Sequence, residues 1–68
     1  MISYQPFWET LKKKQMTGYR LNKSYGVSRS LIDKLKHNKD IRLSTLSDLC
    51  QILDCQIEDI VEITNEEK

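Results

Sequence analysis

The amino-acid sequence predicts an all-α fold, a compact five-helix bundle formed by a single domain over residues 1–68. Apolar residues recur at helical spacing in several segments, and the clearest stripe consists of Leu46, Leu49, Cys50 and Leu53. No segment of useful length alternates between apolar and polar residues as a half-buried strand does. A chain of this length buries only about 60% of the surface that its unfolded form exposes, so it is expected to hold one small core.

The first helix is expected to begin between Ser3 and Gln5, because Pro6 is well tolerated in the first turn of a helix. The N-terminal aromatic residues follow helical spacing, so they are expected in the core or at its rim rather than stacked on nucleic-acid bases. These residues are Tyr4, Phe7, Trp8 and Tyr19. The helix closes with lysines at positions 12–14, which suit a solvated surface and a phosphate contact equally well.

Residues 17–37 are predicted to form two helices joined by a tight turn. Thr17 is able to cap the first helix through its hydroxyl group. Gly26 ends that helix, because glycine adopts the left-handed backbone conformation without a steric clash. Ser28 caps the second helix, residues 28–37. Such a unit is a helix-turn-helix, whose second helix presents its N-terminal residues to base edges in the major groove of DNA.

The second helix of this unit has an apolar and a polar face. Ile32 and Leu35 lie three residues apart on the apolar face. The polar face carries Arg29, Ser30, Asp33 and Lys34. Lys36 is expected to touch the DNA backbone or nothing, because it lies two residues from Lys34 and cannot point the same way.

Arg29 is the first candidate for a base contact, since its planar guanidinium group can donate two hydrogen bonds to guanine O6 and N7. The alternative is an ordinary ion pair with Asp33 one turn later in the helix. Asp33 itself could accept from a cytosine amine, but it is more readily interpreted as a partner that orients Arg29.

The C-terminal part of the chain is predicted to contain a fourth helix, which starts at Arg42 or Ser44, and a short fifth helix or turn over residues 57–63. In the fifth element, apolar residues are expected to close the core, and these are Ile57, Ile60 and Val61. Ile63 is expected to be half-exposed, which favours a dimer contact. Residues 64–68 form a polar tail that is expected to fray.

The charges are divided along the chain. Residues 1–40 contain nine lysine and arginine residues and three acidic residues, a net charge of +6. Residues 41–68 contain two basic and seven acidic residues, a net charge of −5. The basic half suits a polyanion, since each neutralised phosphate releases counterions, and the acidic half would set the orientation of approach.

Several classes of function find no support in the sequence. One histidine, His37, and two cysteines do not make the four-ligand set of a structural zinc site, and no cofactor motif or nucleophile with a base is evident, so neither an enzyme nor a metal or cofactor site is expected. Cys50 and Cys55 are expected to be buried thiols rather than a disulfide. No apolar run approaches the roughly 18 residues of a membrane span, and a cytoplasmic protein without membrane contact is expected.

The combined spacing of these residues resembles the Cro/CI (XRE) family of bacterial and phage helix-turn-helix regulators, and in particular its small single-domain members. The residues that carry the resemblance are Leu21, Gly26, Val27, Ser28, Ile32, Leu35, Lys39, Leu46, Leu49, Cys50, Leu53, Cys55, Asp59 and Ile60, with Ser3, Tyr4 and Trp8 near the N-terminus. The resemblance implies a phage-repressor-like five-helix domain, usually a homodimer, that binds double-stranded operator DNA and represses or activates transcription.

The resemblance also implies roles for individual residues. Arg29, Ser30 and Lys34 match positions that reach base edges, and Ser28 matches a contact at the start of the same helix. The backbone-contact positions fall at Thr17, Gly18, His37 and Lys39. RNA polymerase or another regulatory protein is a possible further partner.

Two positions depart from the family pattern. Gly18 stands where a glutamine usually binds a phosphate, so only the helix-terminal amide remains for that contact. Asn22 stands where a small alanine usually lets the two helices cross closely, and it must tilt the pair or hydrogen-bond across it. These departures favour an alternative function, an antitoxin-like or adaptor module that binds a partner protein without specific DNA binding.

Overall fold

A computed structural model describes residues 1–65 of the chain, which form four α-helices, one 3-10 turn and a two-stranded antiparallel sheet. In chain order these elements are β1 (Ile2–Ser3), α1 (Gln5–Lys13), α2 (Gly18–Tyr25), α3 (Arg29–Lys36), α4 (Leu43–Leu53), the 3-10 turn (Ile57–Asp59) and β2 (Glu62–Ile63).

The predicted count of five helices is wrong, and of the two alternatives for residues 57–63, a short helix or a turn, the turn is the one that forms. The segment after α4 makes only the 3-10 turn, which is closed by reciprocal capping between Gln56 and Asp59, including a hydrogen bond of 3.1 Å from the Gln56 amide to the Asp59 carboxylate. The chain then extends into β2, where Ile63 lies opposite Ile2. The backbone groups of this segment therefore pair with the start of the chain, a long-range partner that helical periodicity cannot reveal.

Two finer expectations for this segment differ from the structure. Ile57 is 42% exposed and does not close the core, whereas Ile60 is completely buried. Ile63 is 76% exposed, more than the half-exposure expected. Thr64 donates its amide to the Met1 carbonyl at 2.7 Å and accepts from the Met1 amine at 2.8 Å, while residues 66–68 of the predicted tail lie outside the described residues.

The core draws side chains from every α-helix, from the turn after α2 and from the segment after the 3-10 turn. Its buried apolar residues are Tyr4, Phe7, Leu11, Leu21, Val27, Leu35, Leu46, Leu49, Leu53 and Ile60. The predicted stripe of α4 is confirmed, with Cys50 partly buried at its edge. Thr10 is the one buried polar residue of the described chain, and its hydroxyl donates to the Asp59 carbonyl at 2.7 Å.

The predicted caps of α2 and α3 are confirmed. The Thr17 hydroxyl accepts from the Arg20 amide and the Ser28 hydroxyl from the Leu31 amide, both at 3.1 Å. Gly26 ends α2 with φ of 72°, and its amide donates to the Leu21 carbonyl. The two helices therefore start and stop where the local sequence directs, and α3 leaves the turn with its outer side uncovered.

Within residues 1–65, none of the helices combines the length and the apolar character that crossing a membrane requires.

Candidate nucleic-acid interface

The outer face of α3 is an exposed polar surface of the helix-turn-helix. Leu35 is completely buried on the inner side, and Leu31 and Ile32 are half-buried against the core. The predicted contact residues on this helix are all exposed, namely Ser28, Arg29, Ser30, Asp33 and Lys34. The hydrophobic contacts thus hold one side of α3 while the other side stays free to enter a groove.

Arg29 and Lys34 lie on opposite edges of this face. Arg29 lines a groove toward α2 together with Asp33 and Lys36. Lys34 lines a different depression, beside the loop that leads to α4. The prediction that Lys34 shares the side of Arg29 and that Lys36 lies elsewhere is therefore wrong. Seven residues complete nearly two helical turns, which returns Lys36 to the Arg29 side, whereas five residues do not.

Asp33 pairs with His37 and not with Arg29. The His37 Nδ1 atom lies 3.4 Å from the Asp33 carboxylate and 2.9 Å from the Asp33 carbonyl oxygen. No other side-chain ion pair within 4.0 Å occurs in residues 1–65, so the alternative role of Arg29 as an intrahelical partner of Asp33 finds no support. The Arg29 guanidinium keeps its donors available, and His37, exposed at the end of α3, is drawn back over the helix.

The N-terminus of α2 lies beside α3. A Cβ atom added at Gly18 would meet the Ile32 Cγ2 atom at 3.3 Å, so the absence of a side chain here allows the two helices to pack closely. The Thr17 hydroxyl takes the Arg20 amide, and among the described residues the amides of Gly18 and Tyr19 have no protein acceptor. Two donors thus remain at this helix start.

Asn22 was expected either to tilt the helix pair or to hydrogen-bond across it, and the structure shows the hydrogen bond. Its side-chain amide donates to the Val27 carbonyl at 2.8 Å. Val27 itself is buried. The amide therefore ties α2 to the turn that leads into α3, and this position strengthens the unit instead of disturbing it.

Three hydrogen bonds join the N-terminal segment to the C-terminal end of α3. The Tyr4 hydroxyl donates to the Lys39 carbonyl at 2.6 Å, the Tyr4 amide donates to the Asn38 side chain at 2.9 Å, and the Trp8 indole donates to the Leu35 carbonyl at 3.4 Å. Burial, and then the Asp40 carboxylate, raise the pKa of the Tyr4 phenol above its usual 10.0. The Trp8 contact satisfies one of the carbonyl groups that the end of α3 leaves without a partner, and the two Tyr4 contacts hold the residues that follow the helix.

Sequence reasoning missed this role of Tyr4 and Trp8, because helical spacing identifies an apolar stripe but not a hydrogen bond made by its polar tip. One local signal was present: Asn38 follows α3 and adopts φ of 55°, a left-handed conformation that asparagine tolerates at helix ends.

The expectation for the aromatic residues holds only in part. Tyr4 and Phe7 lie in the core, and Trp8 packs against it. Tyr19 is 69% exposed beside Arg29, with the Lys23 ammonium 5.9 Å from its ring centre. Its position two residues before the buried Leu21 could have indicated this, because that offset turns Tyr19 away from the core.

Lys39, a predicted backbone-contact residue, is exposed and follows the C-terminus of α3, where its amide donates to the Lys34 carbonyl at 3.0 Å.

The two cysteines form neither a disulfide nor part of a metal-binding cluster. Both are free and partly buried, and within the described part of the chain no three histidine, cysteine or acidic residues are placed to hold a metal ion. Burial, the neighbouring Cys50 and then Asp59 raise the pKa of the Cys55 thiol to about 11. The Cys55 thiol is therefore unreactive compared with an ordinary surface cysteine.

Comparison with known proteins agrees with this geometry. The model of the Cro/C1-type HTH DNA-binding domain matches residues 7–66. An uncharacterized HTH-type transcriptional regulator of Bacillus subtilis (strain 168), YozG, is 37% identical over 59 residues, which are 84% of this chain and 70% of that protein. The crystal structure of the transcriptional regulator VanUg, Form II, superposes with a TM-score of 0.84 at 34% identity, covering 96% of this chain and 87% of the other.

Proposed function

This chain belongs to the Cro/C1-type helix-turn-helix family of DNA-binding transcriptional regulators, and from that premise we propose that it is a sequence-specific regulator whose α3 enters the major groove of operator DNA. The observation that carries this proposal is the exposed outer face of α3 opposite the buried Leu35. A helix held on one side and free on the other is the form in which this motif reads base edges.

Within the proposed complex, base readout falls to Arg29, Ser30 and Lys34. Arg29 has no acidic partner among the described residues and can donate two of its guanidinium hydrogens to the O6 and N7 atoms of one guanine. Lys34, on the other edge of α3, would contact a neighbouring base or its phosphate. Ser28 lies at the start of the same helix, where its hydroxyl already caps the Leu31 amide but keeps an acceptor lone pair free.

The DNA backbone would be held at both ends of the helix-turn-helix. At one end, the amides of Gly18 and Tyr19 together with the Thr17 segment can donate to a phosphate. At the other end, His37 and Lys39 follow the last turn of α3, and both are exposed and could contact a second phosphate. Such contacts fix the register of α3 on the duplex without reading sequence.

Asp33 takes a different role from the one the sequence suggested. Because its carbonyl and carboxylate oxygens lie 2.9 Å and 3.4 Å from the His37 Nδ1 atom, Asp33 would hold the imidazole in place at the end of α3. Since phosphates repel a carboxylate, Asp33 would act on the DNA backbone only through the position of His37.

The active species would be a homodimer that recognises an inverted repeat, with half-sites about one helical turn apart. The module that binds only a partner protein is not favoured. Gly18 and Asn22 were its support, yet Gly18 allows close packing of α2 against Ile32, and Asn22 bonds within the motif.

Selection from a randomised duplex DNA pool at two salt concentrations tests the proposed function. We expect enrichment of an inverted repeat and an affinity for the selected duplex that falls steeply as salt rises. Enrichment of a single half-site would overturn the dimer. Failure to enrich any sequence would overturn specific recognition and return weight to a protein partner.

A further inference from the structure

The lysines that end α1 point to two different sides of the molecule. Lys12 lies one turn after Trp8 and lines a groove together with Thr17 and Gly18, at the start of α2. Lys13 and Lys14 line a different depression, where their neighbours include Asp54 and Asp59. Lys14 shares that depression with Cys55. The run of like charges is therefore not one patch.

The groove beside Lys12 continues toward α3. Trp8 and Gly18 line both this groove and the one that contains Arg29 and Lys36. Trp8 also donates its indole hydrogen to the Leu35 carbonyl at 3.4 Å. Helix α1 is thus tied to the end of α3, so Lys12 keeps a fixed place relative to the helix proposed to enter the groove.

Lys12 has no acidic partner in the described residues. The nearest carboxylate on its own helix is that of Glu9 one turn earlier, which accepts from the Gln5 side-chain amide at 3.3 Å. The neighbouring amides of Gly18 and Tyr19 offer one backbone donor each, but Gly18 has no side chain. A lysine ammonium is a compact charge on a flexible stem, a form suited to a phosphate and not to a particular base.

From this arrangement we propose that Lys12, and neither Lys13 nor Lys14, binds a backbone phosphate of the DNA strand that passes the start of α2. The inference rests on the proposed function. It assigns to a side chain of α1 the phosphate contact that Gly18, which has no side chain, cannot make beyond its backbone amide. Lys12 contributes affinity that is independent of base sequence and places α1 within the DNA footprint.

Three matched single substitutions, Lys12→Gln, Lys13→Gln and Lys14→Gln, test this inference because each removes the same charge. Binding of the full chain to a labelled duplex is measured by fluorescence anisotropy between about 50 mM and 200 mM salt. We expect Lys12→Gln alone to make the log–log salt dependence shallower by about 0.9 and to weaken binding by up to about fivefold. Lys12→Arg should keep the salt dependence of the parent protein, and all four variants should have the melting temperature of the parent protein.

Equal losses in all three glutamine variants would overturn the inference, since they would mean diffuse attraction by the whole run. A Lys12→Gln variant that keeps the parental slope would overturn it as well. The slopes are measured on a selected duplex and on an unrelated duplex of equal length. If the parent protein prefers no duplex, the proposed specific function fails, while the slopes on the unrelated duplex still decide whether Lys12 contacts phosphate.

Discussion

Arg29 shows how a single neighbour can change the interpretation of a side chain. In a helix, Asp33 stands one turn away and is a natural ion-pair partner, yet it is His37 whose ring lies 3.4 Å from that carboxylate. The end of α3 allows the imidazole to fold back over the last turn, and Arg29 is left with its donors unused. Base recognition by Arg29 is physically plausible because Asp33 pairs with His37 and not with Arg29.

Replacing Arg29 by alanine should relax sequence preference at one position of the operator while leaving thermal stability nearly unchanged. The lost discrimination should be about 1–3 kcal/mol, the usual worth of a bidentate contact to guanine. Selection and sequencing with the variant measures it. Arg20→Ala serves as the charge-matched control, because Arg20 is exposed on α2 and does not line the groove that contains Arg29. A uniform loss across all sequences would reassign Arg29 to a phosphate.

At the scale of the element, α3 is positioned from both ends. Its start follows the Gly26 turn and the Ser28 cap, and its end is held by hydrogen bonds from Tyr4 and Trp8. Between them, Leu35 anchors the middle in the core. A helix of eight residues is too short to be stable alone, so these contacts define its orientation.

Gly26→Ala should destabilise the domain by about 1–2 kcal/mol, because the position adopts φ of 72°, which costs an L-residue with a Cβ atom roughly that amount. Nothing lies within 4 Å of an added Cβ, so the cost comes from the backbone and not from a clash. Urea unfolding measures the effect. Gly26→Asn should lose less, since asparagine tolerates this conformation. Equal losses for the two variants would mean that the turn relaxes to another geometry.

At the scale of the whole molecule, stability depends on a core that is small. Leu35→Ala should cost about 2–5 kcal/mol, because the side chain is completely buried between α3 and the rest of the bundle. Such a loss is comparable to the whole stability of a small domain, so much of the variant population is expected to unfold. Circular dichroism melting curves measure this directly.

Leu43→Ala provides the same chemical change at a residue that is 78% exposed. Its effect should stay within about 0.5 kcal/mol, the usual range for surface substitutions. A large loss at Leu43, or none at Leu35, would show that Leu35 does not lie in the core.

Alkaline pH should weaken the folded state. Burial raises the pKa of the Cys55 thiol from 9.0 to about 11, and burial together with Asp40 raises the pKa of Tyr4 above 10.0. The folded protein then retains protons that the unfolded chain releases, and the free energy of unfolding falls as pH rises through that interval. Urea midpoints should decline from about pH 9 to about pH 11.

Cys55→Ala separates the two groups. It should flatten the decline between pH 9.0 and about 11, leaving the later part that belongs to Tyr4. An equally steep decline in this variant would show that the thiol does not contribute.

Much of the fold could be predicted from local sequence. The caps Thr17 and Ser28 and the glycine at position 26 act through bonds within a few residues of themselves, so their effects are written in short segments. The apolar stripe of α4 follows from helical spacing in the same way. The family resemblance drew on these local features, and the exposed polar face of α3 follows from them.

Contacts between distant residues had to come from the tertiary structure. The pairing of Ile2 with Ile63, the hydrogen bond of Tyr4 to the Lys39 carbonyl and the placing of Lys12 beside Gly18 all join segments that are far apart in the chain or on separate helices. Spacing along one helix sets which side a residue faces but not what stands opposite it. That choice belongs to the packing of the helices, which is why the fifth helix was mispredicted and the two sides of the lysine run could not be distinguished.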